Sequence, residues 1–438
     1  MLTFLAYGLV VTFMTLIMTR RLSPLTALIV VPVVFGLLAG FAPELGAMMV
    51  AGVTKLAPTG VMLMFAILYF AIMLDAGLFE PFVSRLVALV HGDPVKVVVG
   101  SAVLALLVSL DGDGSTTYMI TTAAMMPLYR SLRLRPAVLA GVTMLASGVM
   151  NLLPWGGPTA RAASALAIDV GQVFTPMIPA MAVGVLGILF LAYRLGVAER
   201  VRLAAHAGAV DITTDEGGLA MDDEDRSHRR PDRLVVNALL TAVLLVALVM
   251  AVLPLPVLFM LGFAIALLLN YPSIAEQKAL LTRHAANVLA VVGLIFAAGV
   301  FTGILSGTKM VDAIAESVVH LVPPALGPYL AIVTGVLSIP FTFFISNDAF
   351  YFGVLPVLAK AGATYGITAA EMARASLIGQ PVHLLSPLVP STFLLVGLVG
   401  IDFDQHQRFT LRFALIVSLV LLAAALLIGI VPFAGHAG

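Results

Sequence analysis

Two short stretches place acids, hydroxyls and amides in the middle of apolar sequence. SLDGDGSTTY, from Ser109, carries Asp111, Asp113, Ser115 and Thr116, with Gly112 and Gly114 between them; SNDAF supplies Ser346, Asn347 and Asp348. Oxygens of this kind suit protons and hard cations such as sodium, magnesium or calcium. A plain acidic surface turn, or a helix cap at Asn347 or Asp348, would use the same residue types. Acids at membrane depth, however, mark ion or substrate paths by default. The spacing is not that of an EF-hand: counted from Asp111, the loop needs Gly at the sixth place and Glu at the twelfth, where Thr116 and Thr122 stand.

Two further stretches combine helix breakers with polar neighbours. NLLPWGGPTARAAS, from Asn151, holds Pro154, Gly156, Gly157 and Pro158, followed by Thr159 and Arg161. GQPVHLLSPLVPST, from Gly379, holds Gln380, His383, Ser386, Ser391 and Thr392. Proline removes a helical hydrogen bond, so a spanning helix breaks at these sites. Broken backbone inside a bilayer persists only where protein buries it or where it lines a cavity. Thr159 is expected to cap the half-helix that follows. Arg161, in its first turn, is unfavourable beside the positive helix end unless an anion is near: a substrate carboxylate, or Asp113 or Asp169. His383 is a candidate for proton coupling near neutral pH and equally for a structural hydrogen bond.

The elements that position these residues follow from composition. Of 438 residues, 61% are hydrophobic and 11% charged, against about 25% charged in soluble domains. Apolar runs approach the roughly 20 residues a helix needs to cross a bilayer, and they are continuous rather than alternating as in a β-barrel. The chain reads as an all-α polytopic membrane protein. Zero net charge offers no surface for nucleic acid, and the absence of cysteine excludes disulfides and thiolate chemistry. The opening run to Arg20 and Arg21 reads as a spanning helix rather than a removable leader.

By window reading, apolar segments fall at about 2–18, 25–41, 59–79, 95–110, 116–129, 137–153, 159–170 and 175–196, and again at about 234–253, 255–270, 287–306, 325–345, 349–360, 371–385, 391–401 and 410–433. The features recur in one order in both halves, which is the trace of a duplicated transporter. The expected organisation is a first repeat over 1–198 with its tip at 111–116, a cytoplasmic linker over 199–233, and a second repeat over 234–438 with its tip at 346–348. Lys/Arg bias makes each half about five spans plus one re-entrant hairpin, entering from opposite faces, with both termini outside. Lys309, Lys360 and Arg374 then also fall outside, against the bias. Asp75, Glu80, Asp312 and Glu316 are expected on solvated interfacial helices.

At SLDGDGSTTYMITTAAMMPLY, PWGGPTARAAS, SNDAFYFGVLPVL and GQPVHLLSPLVPST the chain resembles, over essentially its whole length, the citrate–divalent metal–proton symporter family within the ion transporter superfamily. The resemblance implies proton-driven uptake of citrate complexed with a divalent ion in a bacterial-type cytoplasmic membrane, with no permanently bound cofactor. It also implies inverted repeats, opposed hairpins, a homodimer and elevator-type motion. Related sodium-coupled dicarboxylate carriers use Ser-Asn-Thr at both tips; DGDGST and SND depart from that pattern and speak against sodium coupling.

Charge gives a separate argument for a metal complex. Citrate carries about three negative charges at neutral pH, and like charges about 4 Å apart repel by several kcal/mol at intermediate dielectric. Aspartates at both tips conflict with a bare trianion unless a divalent ion travels with it or the aspartates enter protonated, a state that burial favours. Asp113 and Asp348, with Asp111 and His383, are thus candidates for metal or proton. Arg161, Asn151, Asn347, Ser115, Thr116, Thr159, Ser346, Ser391 and Thr392, with Gly156 and Gly157 at the break, are candidates for the carboxylates and hydroxyl. Carriers of other organic anions and ion antiporters fit the same scaffold. A passive channel and a membrane aspartyl protease are less suitable, since Asp111–Gly114 lacks the Gly-x-Gly-Asp order that such proteases use.

Overall fold

A computed structural model describes residues 2–90, 92–205, 229–250, 252–321 and 325–435, and these are helical with short connections. The first half runs α1 (Leu2–Met18), α2 (Pro24–Leu38), α3 (Leu45–Asp75), α4 (Glu80–Val90), α5 (Pro94–Val108), α6 (Gly114–Ser131), α7 (Pro136–Met150), α8 (Gly157–Leu166) and α9 (Val170–Ala205). The second half repeats that order as α10 (Leu234–Val249), α11 (Leu255–Asn270), α12 (Ile274–Gly307), α13 (Met310–Leu321), α14 (Leu330–Phe344) and α15 (Leu355–Ala363). It continues with α16 (Ala369–Ser376), α17 (Gln380–His383), α18 (Pro390–Val399) and α19 (Phe403–Leu427). Seven helical stretches among the described residues are long and apolar enough to cross a membrane; two of them, 94–111 and 327–344, are the first arms of hairpins.

Both hairpins return to the face they enter. Asp93, ahead of α5, accepts two hydrogen bonds from Arg200, while the Arg133 carbonyl, after α6, accepts one from Arg202 at 2.6 Å. One turn of α9 therefore closes both ends of the first hairpin. At the second, Gly327 before α14 lies against the Tyr365 ring beyond α15, and Gly435 N–H donates to the Pro328 carbonyl at 2.6 Å. Helix α19 links the two faces. Its start packs Phe409 on Gly141 near the beginning of α7, and the tail beyond its end reaches the base of the second hairpin. The hairpins accordingly enter from opposite sides.

The helices sort into two bodies. α1–α3 and α10–α12 pack together as a scaffold, and α5–α9 with α14–α19 form the body that carries the polar motifs, with α4 and α13 joining them. At the scaffold centre the counterpart helices α3 and α12 cross with almost no side chain between them. A Cβ on Gly52 would lie 2.0 Å from the Gly299 carbonyl oxygen, and one on Gly303 would lie 2.3 Å from that of Met48. Small residues at such crossings let backbones touch, which is how helices gain packing inside lipid. In the other body α7 is buried on every side from Ala137 to Met150, as expected of a helix without a polar face.

Several sequence boundaries shift for one reason. Helix α9 continues through Glu199–Ala205, where the linker was expected to begin, because Glu199 is fully buried between Arg135 and Arg202. Helix α12 begins at Ile274 and carries charge through its first turns; its His284 Nε2 lies 2.9 Å from Asp75 Oδ2. Asp75 is thus a paired scaffold residue rather than a solvated one. Residues 206–228 of the expected linker lie outside the described residues; beyond them Arg229 pairs with Glu80, and Arg230 with Glu276.

Candidate substrate cavity

The two tips and the two helix breaks meet around one cavity of about 440 Å³, within the roughly 300–1,000 Å³ range of small-molecule sites. At the first tip Gly112 adopts φ +80° and Asp113 caps α6. Asp113 Oδ1 accepts the Ser115 N–H at 3.0 Å, and Oδ2 accepts the Thr116 hydroxyl at 2.9 Å. The Asp113 carboxylate thereby sits at a helix N-terminus, where negative charge is favoured, and still lines the cavity. At the second tip the Ser346 hydroxyl accepts the Ala349 N–H. Asn347 and Gln380 exchange amide hydrogen bonds, and Gln380 is held in turn by the Tyr351 hydroxyl at 2.8 Å.

Each break is pinned by a threonine. Helix α8 begins at Gly157 with Gly156 as its N-cap, so Thr159 is not the cap. Its hydroxyl reaches back across the break and donates to the Leu152 carbonyl at 2.9 Å. Thr392 does the same to Leu384 in the second half. Gly156 is dictated by space, since a Cβ there would lie 2.1 Å from the Asn151 carbonyl oxygen. Trp155, the single tryptophan of the chain, locks the first break to the first tip. Its indole N–H donates to the Leu110 carbonyl at 2.9 Å, and its ring covers Gly112 and contacts Phe70 and Phe259 of the scaffold.

Arg161 pairs with neither Asp113 nor Asp169. Its Nε donates to Asp348 Oδ1 at 2.6 Å, joining the first break to the second tip. His383 is buried and donates from Nδ1 to the Thr342 carbonyl at 2.5 Å. That bond puts the proton of the neutral ring on Nδ1 and leaves Nε2 as an acceptor.

Of the residues singled out in the sequence, the cavity collects Asp113, Asn151, Gly157, Arg161, Ser346, Asn347, Asp348, His383 and Ser391. It does not bring Asp111, Ser115, Thr116, Gly156, Thr159 or Thr392 to its lining. The two threonines of the breaks are fully buried with their hydroxyls on backbone carbonyls, and Asp111 accepts the Asp113 N–H, shaping the tip turn. Ser109 and Ser147, which are not among the sequence candidates, also line the wall with Asp113. Ser147 was findable: it precedes Asn151 by one helical turn and so shares its face. The described residues contain no group of three or more His, Asp or Glu side chains able to hold an ion by themselves.

Inverted repeats, opposed hairpins and broken helices around a shared cavity define a secondary transporter. Two solved structures have this fold: the YdaH transporter of Alcanivorax borkumensis (TM-score 0.64, 16% identity, 98% of each chain covered) and MtrF of Neisseria gonorrhoeae (TM-score 0.62, 15% identity, 90% of this chain and 86% of that one). Residues 13–379 match the family model described as "Citrate transporter". Two Bacillus subtilis (strain 168) proteins are similar throughout. "Citrate transporter" is 56% identical over 99% of this chain and 100% of its own length; "Mg(2+)/citrate complex secondary transporter" is 51% identical over 98% and 99%. The chain belongs to the citrate transporter family and is a membrane transporter, not an enzyme.

Proposed function

We propose that this protein takes up citrate as its complex with a divalent ion of the magnesium or calcium type, by proton symport across a bacterial-type cytoplasmic membrane. The observation that carries the reading is the charge of the cavity: Asp113 and Asp348 stand against Arg161 alone among the described fixed charges of its lining. A bare citrate trianion would add three charges to a lining that is already net negative. A complex near −1 removes most of that repulsion, and the relative named for the Mg(2+)/citrate complex supports the same choice. In this arrangement the metal faces the oxygen-rich wall of Ser109, Asp113 and Ser147, supplementing ligands from citrate itself. A free carboxylate of citrate faces Arg161, and Asn347 and His383 receive polar groups of the cargo.

The seam between the bodies is the natural plane for elevator-type movement. A homodimer would hold the scaffold still while the cavity-bearing body moves, and both termini would lie outside. Proteoliposomes given labelled citrate on the outside, with a series of magnesium, calcium, zinc and no metal and an imposed pH gradient, provide the test. Accumulation needs metal and collapses with a protonophore; citrate uptake indifferent to excess EDTA refutes the metal-complex reading.

A further inference from the structure

Arg161 is the one fixed cation among the described residues of the cavity lining, and a carboxylate of the chain itself already holds it. The Arg161–Asp348 pair spans 2.6 Å with side chains 23% and 13% exposed, and its two ends belong to different halves of the molecule. The anchoring of the tips is unequal. The first is locked by Trp155 through the Leu110 carbonyl and the Gly112 turn, where the second break has Leu388. The tip residues of the second hairpin reach the breaks through Asp348 on Arg161 and through the Asn347–Gln380 amide exchange, whose distances of 3.4 and 3.3 Å are long for such bonds; the arms on either side are held separately, by His383 on the Thr342 carbonyl and by Gln380 on the Tyr351 hydroxyl. Among the tip residues themselves, the short bond to a break is therefore made to the very group a substrate carboxylate requires.

We propose that Asp348 is a tethered stand-in for a substrate carboxylate: it holds Arg161 until the free carboxylate of the cargo displaces it, and this exchange releases the second hairpin tip. The proposal rests on reading the cavity as the metal–citrate site. Asp348 occupies the Arg161 Nε–H, so the side-on, two-bond grip of a second carboxylate through Nε and a terminal nitrogen is available only in the fraction of molecules whose pair is open, and apparent affinity falls by that fraction. A pair open in about a tenth of molecules weakens binding about tenfold. Release also requires an anion, so a divalent ion alone leaves the tip in place, and carboxylate binding and tip movement become one event.

The sign of one substitution separates this role from direct ligation. Magnesium citrate binding to the purified full chain is measured by calorimetry for wild type, Asp348→Asn, Arg161→Gln and the double variant, with Asp348→Ser as a second neutral replacement. Both Asp348 variants are expected to bind about tenfold tighter and still to require magnesium. The gain should vanish in the Arg161→Gln background, as coupled residues demand. Weaker or unchanged binding in both Asp348 variants, a gain that persists without Arg161, or loss of the magnesium requirement overturns the stand-in role while leaving the cavity reading intact. Binding that Arg161→Gln does not alter overturns the cavity reading and the exchange together.

Discussion

Replacing Gly112 with alanine should dismantle the first tip, and the cost can be built from its geometry. The backbone at Gly112 has φ +80°, where an L side chain costs about 1–2 kcal/mol. The new Cβ would stand 2.7 Å from Trp155 Cδ1, so the indole must leave. That withdraws its hydrogen bond to the Leu110 carbonyl, about 1 kcal/mol net, and its contacts with Phe70 and Phe259, about 0.5–1.5 kcal/mol per aromatic pair. The total is about 3–6 kcal/mol, two to four decades in the population of the native tip at about 1.4 kcal/mol per decade. Gly40→Ala is the matched control: its φ is +88°, but nothing lies within 4 Å of the added Cβ, leaving only the backbone cost. Because Trp155 is the sole tryptophan, its emission reports the tip directly. Gly112→Ala should shift the emission to the red and abolish metal-dependent citrate flux in proteoliposomes, while Gly40→Ala keeps both. Equal emission and flux in the two variants would refute the role given to the Trp155–Gly112 contact.

Other perturbations follow from the same structure. Asp113→Asn should abolish citrate accumulation while the protein remains in the membrane with a normal gel-filtration profile; near-normal flux would remove the carboxylate from the cargo site. Arg161→Gln should raise the apparent Km for citrate at least tenfold, as expected when one partner of a desolvated charge pair is lost, with little change in the metal concentration required; steady-state flux measures both. Gly303→Leu should prevent accumulation of folded protein, because its Cβ alone meets the Met48 backbone at 2.3 Å; detergent-extracted yield reads this out. The hydrogen bonds from Arg200 hold the Asp93 carboxyl below its usual range. With the folded value depressed, its contribution to stability is complete above the unfolded value of about 3.9 and is lost as pH falls through the folded one. Asp93→Asn should therefore flatten the acid side of the melting-temperature profile in detergent.

Legibility in the sequence divides along physical lines. Backbone chemistry is local, so Gly112 beside Asp113, and Pro154 with Gly156–Pro158, announce a tip and a break without any knowledge of their neighbours. The duplicated order of these features was equally open to reading. What the sequence hid depends on contacts between distant segments. The charges of α9 and of the first turns of α12 resemble the edge of a loop until Glu199 meets Arg135 and Asp75 meets His284. Thr159 and Thr392 have the composition of ligands, yet each spends its hydroxyl on a carbonyl seven or eight residues back. The partner of Arg161 lies 187 residues away, beyond any local rule for charge pairing. Glycine at every fourth place in GVFTGILSG did carry the signal of the scaffold crossing.

The most direct test is the position of the cargo itself. A cryo-electron microscopy map of the protein with magnesium citrate should place the metal beside Asp113 and a citrate carboxylate on Arg161, between the two tips. Density for the complex at any other location, with the Arg161–Asp348 pair undisturbed, would contradict the account.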